Sequence, residues 1–509
     1  MPPVLEPGRN CEPIAKANRF ALLVDGSQYY GALAESISQA RHTVAVLGWD
    51  LDSRVRLGPN ADRGRLVPPL SAFLPAVAAA NPGLNIYLSS WSFPLLFAHV
   101  RDPKLVRGQN PFNHPRVHLK FDGAHPPGAS HHQKIVVIDD CLAFAGGMDI
   151  AGGRWDSTEH RAYDVRRGAN EAAYPPYHDV MALVDGDAAR ALAAIVRDRW
   201  FRSTGTSIPE SFERRAIWPD QVTPDLVDVA VGISRTDIKE DGSGECFEIE
   251  KLHLDLIGAA RDLIYIENQY LTSATIVTAL CRRLQSADGP EVLMVLPLEN
   301  TGWLEERTIQ LLRSDSIRRL RHADAFNRLR ICYPVVPGLG DDAIGVHSKI
   351  MVIDDQVFRV GSSNLTNRSM RLDTECDLTI EAASLQERLA IARMRNRLLA
   401  EHLGMSTDAI ADFLSRDPSL VRLADSRCTN ARCLRELPSG DSSEPILEPE
   451  LVDPAEPVTA GVVFEALATS GAERRIRRLL PLALIGAALA VVAVMWRRRV
   501  RARSRPPTR

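Results

Sequence analysis

The segment His132-Gln133-Lys134-Ile135-Val136-Val137-Ile138-Asp139 returns 215 residues later as His347-Ser348-Lys349-Ile350-Met351-Val352-Ile353-Asp354. Seven positions beyond each aspartate stands a turn of small residues, Gly146-Gly147-Met148-Asp149 in the first copy and Gly361-Ser362-Ser363-Asn364 in the second. Chance does not reproduce that whole spacing, so the chain carries one supersecondary unit twice. In each copy, four consecutive apolar residues between polar ends read as a strand buried on both faces. Asp139-Asp140 and Asp354-Asp355 supply a turn, and LAFAGG and QVFRVGS read as the returning strands. His and Lys sit two residues apart at the mouth of each hairpin, so they point to one face. The small residues close the second strand beside them, where backbone can approach a ligand.

Other apolar runs, TVAVLGW, LNIYLSS, LIYIEN and EVLMVLP, alternate with helix-like stretches such as GDAARALAAIVRDRWF and SLQERLAIARMRNRLLAEHL. The expected class is α/β: two similar lobes, each a mixed sheet flanked by helices. The expected divisions are a tail over 1–17, lobe 1 over 18–225, lobe 2 over 226–405 and an extension over 406–435. Eight scattered cysteines, without zinc-like spacing, read as reduced and mostly buried; Cys428 and Cys433 are close enough to bridge.

Charge is unevenly distributed. From Arg474 onward there are 11 arginines and no acid, which leaves 50 basic and 64 acidic groups in residues 1–473. An acidic body argues against a nucleic-acid binder. Residues 479–496 are 18 uncharged residues flanked by arginines, about 27 Å as a helix, and are expected to anchor the chain in a membrane. An Arg-rich tail over 497–509 follows, placed to meet phospholipid head groups. Residues 436–473, with nine acids, five prolines and no Lys or Arg, are expected to form an extended, solvated linker. The first twenty residues carry prolines and charges where an export signal needs an apolar run, so the body is expected in the cytoplasm. The larger arginine cluster after the span would instead draw the C-terminus there. One spanning helix does not satisfy both, and the orientation stays open.

Two histidines, two lysines and an Asp/Asn pair suit a phosphodiester. Lysines neutralise non-bridging oxygens and amides donate to them. One imidazole can attack phosphorus while the other protonates the departing alkoxide. No metal or other cofactor is expected, since the lysines bring the positive charge and no two-metal carboxylate cluster is evident. Each histidine needs a carboxylate on its other ring nitrogen, and Asp179 and Glu375, on the next strand-like segments, are the candidates. Asp139 and Asp354 read as turn and strand-end anchors. His131, His160 and His178 read as structural or solvated.

The paired HxKxxxxD motifs with their glycine/serine turns resemble the phospholipase D superfamily over roughly residues 18–405. The resemblance implies an active site at the lobe interface and a phosphohistidine intermediate, with His132 as nucleophile and His347 as general acid and then base; the symmetry of the repeat does not itself assign that order. It further implies that Lys134, Lys349 and Asn364 hold the phosphate beside Gly147 and Ser362. Asp149 departs from the usual Asn, and an acid there repels phosphate unless it is protonated or turned away. GGMDIAGGRWDS, PYHDV and IYIENQYLTS resemble eukaryote-type and related bacterial phospholipases D, which implies that Arg154, Trp155, Glu267, Asn268 and Gln269 line or support the site. The expectation is a phospholipid-cleaving enzyme at a membrane, the bacterial inner membrane by that likeness. A cardiolipin-synthase-like phosphatidyltransferase is the alternative, followed by a nuclease and a non-catalytic lipid-binding scaffold.

Overall fold

The computed structural model describes residues 3–58, 67–92, 102–167, 174–211, 217–239, 244–299, 305–339, 343–426, 432–438 and 452–458. The first half contributes β1 (Ile14–Val24), β2 (Thr43–Gly48), β3 (Asn85–Trp91), β4 (Val117–Asp122), β5 (Ile135–Ile138), β6 (Leu142–Gly146), β7 (Tyr177–His178) and β8 (Val180–Asp185). The second contributes β9 (Leu226–Asp237), β10 (Cys246–Phe247), β11 (Leu263–Glu267), β12 (Glu291–Val295), β13 (Leu329–Val335), β14 (Gly345–Val346), β15 (Ile350–Ile353), β16 (Val357–Gly361), β17 (Glu375–Glu381) and β18 (Cys433–Glu436).

The halves share one topology. Strand order runs β1-β8-β6-β5-β2-β3-β4 in the first and β9-β17-β16-β15-β11-β12-β13 in the second. In both, the hairpin from the repeat is followed by an antiparallel neighbour and then two parallel strands. The expectation of two sheets is modified here. β1 and β9 pair antiparallel, with Ile14 opposite Gly232 and Phe20 opposite Leu226, so the halves form one continuous mixed sheet. Pairing these two strands removes the open edge that each half would otherwise present.

One face of that sheet is covered by the long helices Gly186–Thr204 and Leu385–Leu403, one from each half, over a core that runs across both. The first ends on Gly205 in the left-handed region (φ 72°), where a residue without Cβ carries no penalty. The second starts at Ser384, whose hydroxyl accepts the Glu387 amide. The opposite face has a separate core in each half, under helices Asp25–Ser38 and Leu70–Ala80 in one and Glu248–Ala259 and Ala274–Gln285 in the other.

The repeated hairpins turn as their sequence dictates. Asp139, Asp140, Asp354 and Asp355 all have positive φ, which Asp tolerates better than most residues and a tight hairpin requires. The Asp139 carboxylate accepts the amides of Arg41, His42 and Thr43, each at 2.8 Å; that of Asp354 accepts Arg261, Asp262 and Leu263, also at 2.8 Å. Both acids therefore tie their hairpin to the strand beside it, away from the histidines.

Part of the expected acidic linker departs from a solvated chain. Val452 and Asp453 are buried, and Asp453 accepts the Thr272 hydroxyl and the amides of Asn367 and Arg368. Three donors give this one carboxylate a reason to dock that composition does not reveal. Among the described residues no helix is long and apolar enough to cross a membrane. The span expected at 479–496, the tail at 497–509 and Cys428 lie outside the described residues.

Candidate active site

Two short cross-connections between the halves build the site. β7 pairs parallel with β14, setting Val346 opposite His178, and the His347 amide donates to the His178 carbonyl at 2.8 Å. Its counterpart is the bridge of His131 with Thr374, where the His132 amide donates to the Thr374 carbonyl at 3.0 Å. Each histidine thereby lies next to the acid that follows its bonding partner in the opposite half. His132 Nδ1 is 3.0 Å from both carboxylate oxygens of Glu375, and His347 Nδ1 is 2.7 Å from Asp179 Oδ2. With each Nδ1 held by an acid, Nε2 is the nitrogen left for a ligand.

Both acids are fixed in turn. Ser362 and Ser369 donate to Glu375, and a Cβ on Gly147 would fall on the Asp179 carboxylate. Burial first, then the two lysines, pushes the His132 imidazole well below its ordinary range; burial and Lys349 do the same for His347. Burial raises Asp179, and raises Glu375 well above the usual carboxylate range. Burial thus favours neutral imidazoles with a free lone pair.

His132 and His347 open into one cavity of about 470 Å³, together with Asp149, Arg154, Gln269 and Asn364. Asn364 Oδ1 is buried with no hydrogen-bond partner among the described residues. Lys349 Nζ lies 3.4 Å from Gln269 Oε1 and also donates to the His347 carbonyl. Burial lowers Lys349 to about 7; Asp179 and Glu375 pull it up, and the Lys134 and Arg154 charges push it further down. Cations gathered this closely are suited to an anion, whose arrival relieves their repulsion.

Asp149 is turned from the centre by its own partners. It accepts the amides of Trp49 (2.8 Å) and Asp50 (3.1 Å), and its other oxygen is 3.3 Å from Lys134 Nζ. The pair is balanced in charge, so the acid does not stand against a bound anion alone. Trp155, Glu267 and Asn268 lie off the cavity instead of lining it. Trp155 packs in the first-half core; Glu267 binds His178, His402, Ser348 and Tyr265; Asn268 Oδ1 accepts the Tyr270 and Leu365 amides. Ser362 and Gly147 act on the acids and not on the cavity.

The sequence reading missed the cavity's aromatic side. Trp49 and Trp91 stack with centroids 5.6 Å apart, with Tyr270 and the buried Val452 on the same cavity. Trp49 and Trp91 end adjacent parallel strands, a position where ligands gather in such sheets, and that is the signal that could have found them.

The family model described as cardiolipin synthase, phospholipase D-like domain, matches residues 253–392. Phospholipase D A of Dictyostelium discoideum is 26% identical across 75% of this chain and 35% of its own length. Phospholipase D1 of Saccharomyces cerevisiae is 23% identical across 87% of this chain and 33% of its own. The chain is similar to phospholipase D superfamily proteins. It spans about a third of the length of these curated relatives. A solved phosphatidylserine synthase of Haemophilus influenzae, 14% identical, aligns over 80% of this chain and 95% of that one with a TM-score of 0.49. Within that likeness, both histidines of the repeated motif lie at one cavity, each backed by an acid from the other half.

Proposed function

We propose that the chain is a phospholipase D that cleaves the distal phosphodiester bond of glycerophospholipids, giving phosphatidic acid and a head-group alcohol. The observation that supports this is the pair of crossed histidine–acid units opening into one cavity. In this reading His132 Nε2 attacks phosphorus and the phosphatidyl–histidine bond forms as the head-group oxygen leaves. His347 gives that oxygen its proton. His347 then takes a proton from water, whose oxygen attacks phosphorus and releases phosphatidic acid and free His132. A primary alcohol in place of water gives a phosphatidyl-alcohol.

Lys134, Lys349, Arg154 and Asn364 hold the phosphate oxygens in this scheme, and the incoming negative charge raises His347 so that it carries the proton it donates. Glu375 and Asp179 fix the tautomers and stabilise imidazolium as it develops. The apolar, aromatic wall suits the glycerol backbone or acyl chains. Residues 479–496 and the flanking arginines are proposed to keep the body at a membrane surface, with the body on the cytoplasmic side.

The name of the matched family favours a second reading, a cardiolipin-forming phosphatidyltransferase in which the attacking alcohol is a second lipid. One experiment separates the two. The full chain is incubated with mixed phospholipid vesicles and a little primary alcohol, beside a His132→Ala control, and the lipid products are read by mass spectrometry. Phosphatidic acid together with the phosphatidyl-alcohol supports the phospholipase; cardiolipin supports the transferase; no lipid product from any head group rejects both.

A further inference from the structure

Behind His347 lies a second set of buried histidines and acids that takes no part in this chemistry. Asp25 opens the helix Asp25–Ser38, His160 comes from the loop after β6, His178 from β7, and Glu401 from near the end of the helix Leu385–Leu403. All four are buried, and one ligand-type atom from each lies within 4.8 Å of all the others. The atoms form an alternating ring. His178 Nδ1 is 3.0 Å from Asp25 Oδ1 and 2.8 Å from Glu401 Oε1; His160 Nε2 is 2.7 Å from that same oxygen and 3.4 Å from Asp25 Oδ2.

The nitrogens that face outward are held as well. His160 Nδ1 is 2.9 Å from Asp156 Oδ2, and His178 Nε2 is 2.9 Å from Glu267 Oε2. An outer carboxylate that takes the distal N–H of an imidazole fixes the tautomer whose inner nitrogen carries a lone pair, the form that ligates an ion. Without an ion, each imidazole needs protons on both nitrogens to face acids on both sides. Asp25 Oδ2, on the long 3.4 Å side of the ring, and Glu401 Oε2 are buried and accept no hydrogen bond among the described residues. A buried carboxylate oxygen without a donor is costly.

We propose that Asp25, His160, His178 and Glu401 bind one divalent transition-metal ion of the zinc class as a closed structural centre. Two nitrogens and two oxygens, with no solvent position, match a four-coordinate site and not the oxygen-rich, partly hydrated shells of Mg²⁺ or Ca²⁺. The two carboxylates cancel the ion's two charges, so the buried unit is neutral overall. Metal–ligand bonds of about 2.0–2.2 Å in a tetrahedron separate the ligands by roughly 3.3 Å. The ring sides of 2.7 and 2.8 Å therefore open by a few tenths of an ångström on binding, while those of 3.0 and 3.4 Å, which end on different oxygens of Asp25, are already near that spacing. Three ligands come from the first half and Glu401 from the second, so the ion staples the halves. It also fixes the His178 carbonyl that holds the His347 amide.

The test needs no lipid and is independent of the proposed phosphodiester chemistry. The full chain, purified without chelators and dialysed, is assayed for metals by mass spectrometry. About one zinc per chain is expected, falling at least roughly tenfold in Glu401→Gln and in His160→Ala and staying in His132→Ala. Should the first two variants fail to fold, the unaltered chain still decides. Stripping with a strong chelator lowers its unfolding midpoint by about 5 °C or more, and added zinc restores it. A chain that holds no metal and whose midpoint ignores both chelator and zinc overturns the proposal in favour of an imidazolium network. Metal that stays in a folded Glu401→Gln, or leaves in His132→Ala, overturns it by placing the ion elsewhere.

Discussion

His132 and Glu375 are 243 residues apart in the chain, yet Nδ1 of the imidazole lies 3.0 Å from both oxygens of that carboxylate. The reverse crossing, Asp179 onto His347, spans 168 residues. Each half therefore supplies the acid that the other half's motif histidine depends on, and neither motif histidine is held by an acid of its own half.

Removing the charge of one acid while keeping its shape tests that dependence. Glu375→Gln should lower kcat by roughly 10²–10⁴-fold, because the amide no longer fixes the His132 tautomer or stabilises imidazolium. Steady-state kinetics beside circular dichroism check it: an intact fold with kcat within a factor of two of the parent contradicts the assigned role.

Gly147 lies where a Cβ would strike the Asp179 carboxylate, whose three atoms are the nearest to that position. Gly147→Ala should push the acid off His347 and cost roughly 10–100-fold in turnover, since small misplacements carry such penalties. The unfolding midpoint should move far less than the rate. Equal loss of both would mean that Gly147 serves packing only.

Lys349, lowered to about 7 mainly by burial, carries its proton below that pH and loses it above. A phosphate-holding lysine is needed charged, so kcat/KM should fall by up to about tenfold per pH unit as pH rises through that value. Bound anion stabilises the charged form, so kcat should hold to higher pH. In Lys349→Arg the side chain stays charged throughout, and the alkaline fall should leave the profile whatever the absolute rate. An unchanged alkaline limb in that variant would assign it to another group.

The anchoring acids give a stability prediction. Asp354→Ala leaves three amides without their shared acceptor and should destabilise the chain by about 2–4 kcal/mol, read as a lower urea midpoint. Asp354→Asn keeps an acceptor oxygen and should lose less. Identical midpoints for both variants would show that the side chain anchors nothing.

The repeated hairpins were legible because everything that forms them is local: an apolar run, two aspartates able to take positive φ, and a small-residue return. Apolar runs likewise placed β2, β3, β11 and β12 within a residue or two. What pairs across the halves was not legible. The continuous sheet depends on β1 meeting β9, and the crossed acids depend on β7 meeting β14; no local pattern records either partner. Trp155, Glu267 and Asn268 show the same limit, since motif proximity does not say which side of a strand end faces the cavity. Val452 and Asp453 sit in a stretch whose average composition reads as solvated, and docking there rests on one carboxylate and three donors.

The measurement closest to the central claim traps the covalent step. A phosphodiester with a nitrophenolate leaving group needs no general acid, so His347→Ala should still be attacked by His132 but lack the base that activates water. Intact-protein and peptide mass spectrometry of that variant should find the phosphoryl adduct on His132, and none on His132→Ala treated in the same way. An adduct on His347 in the His132→Ala chain, or no adduct with either, would contradict the account.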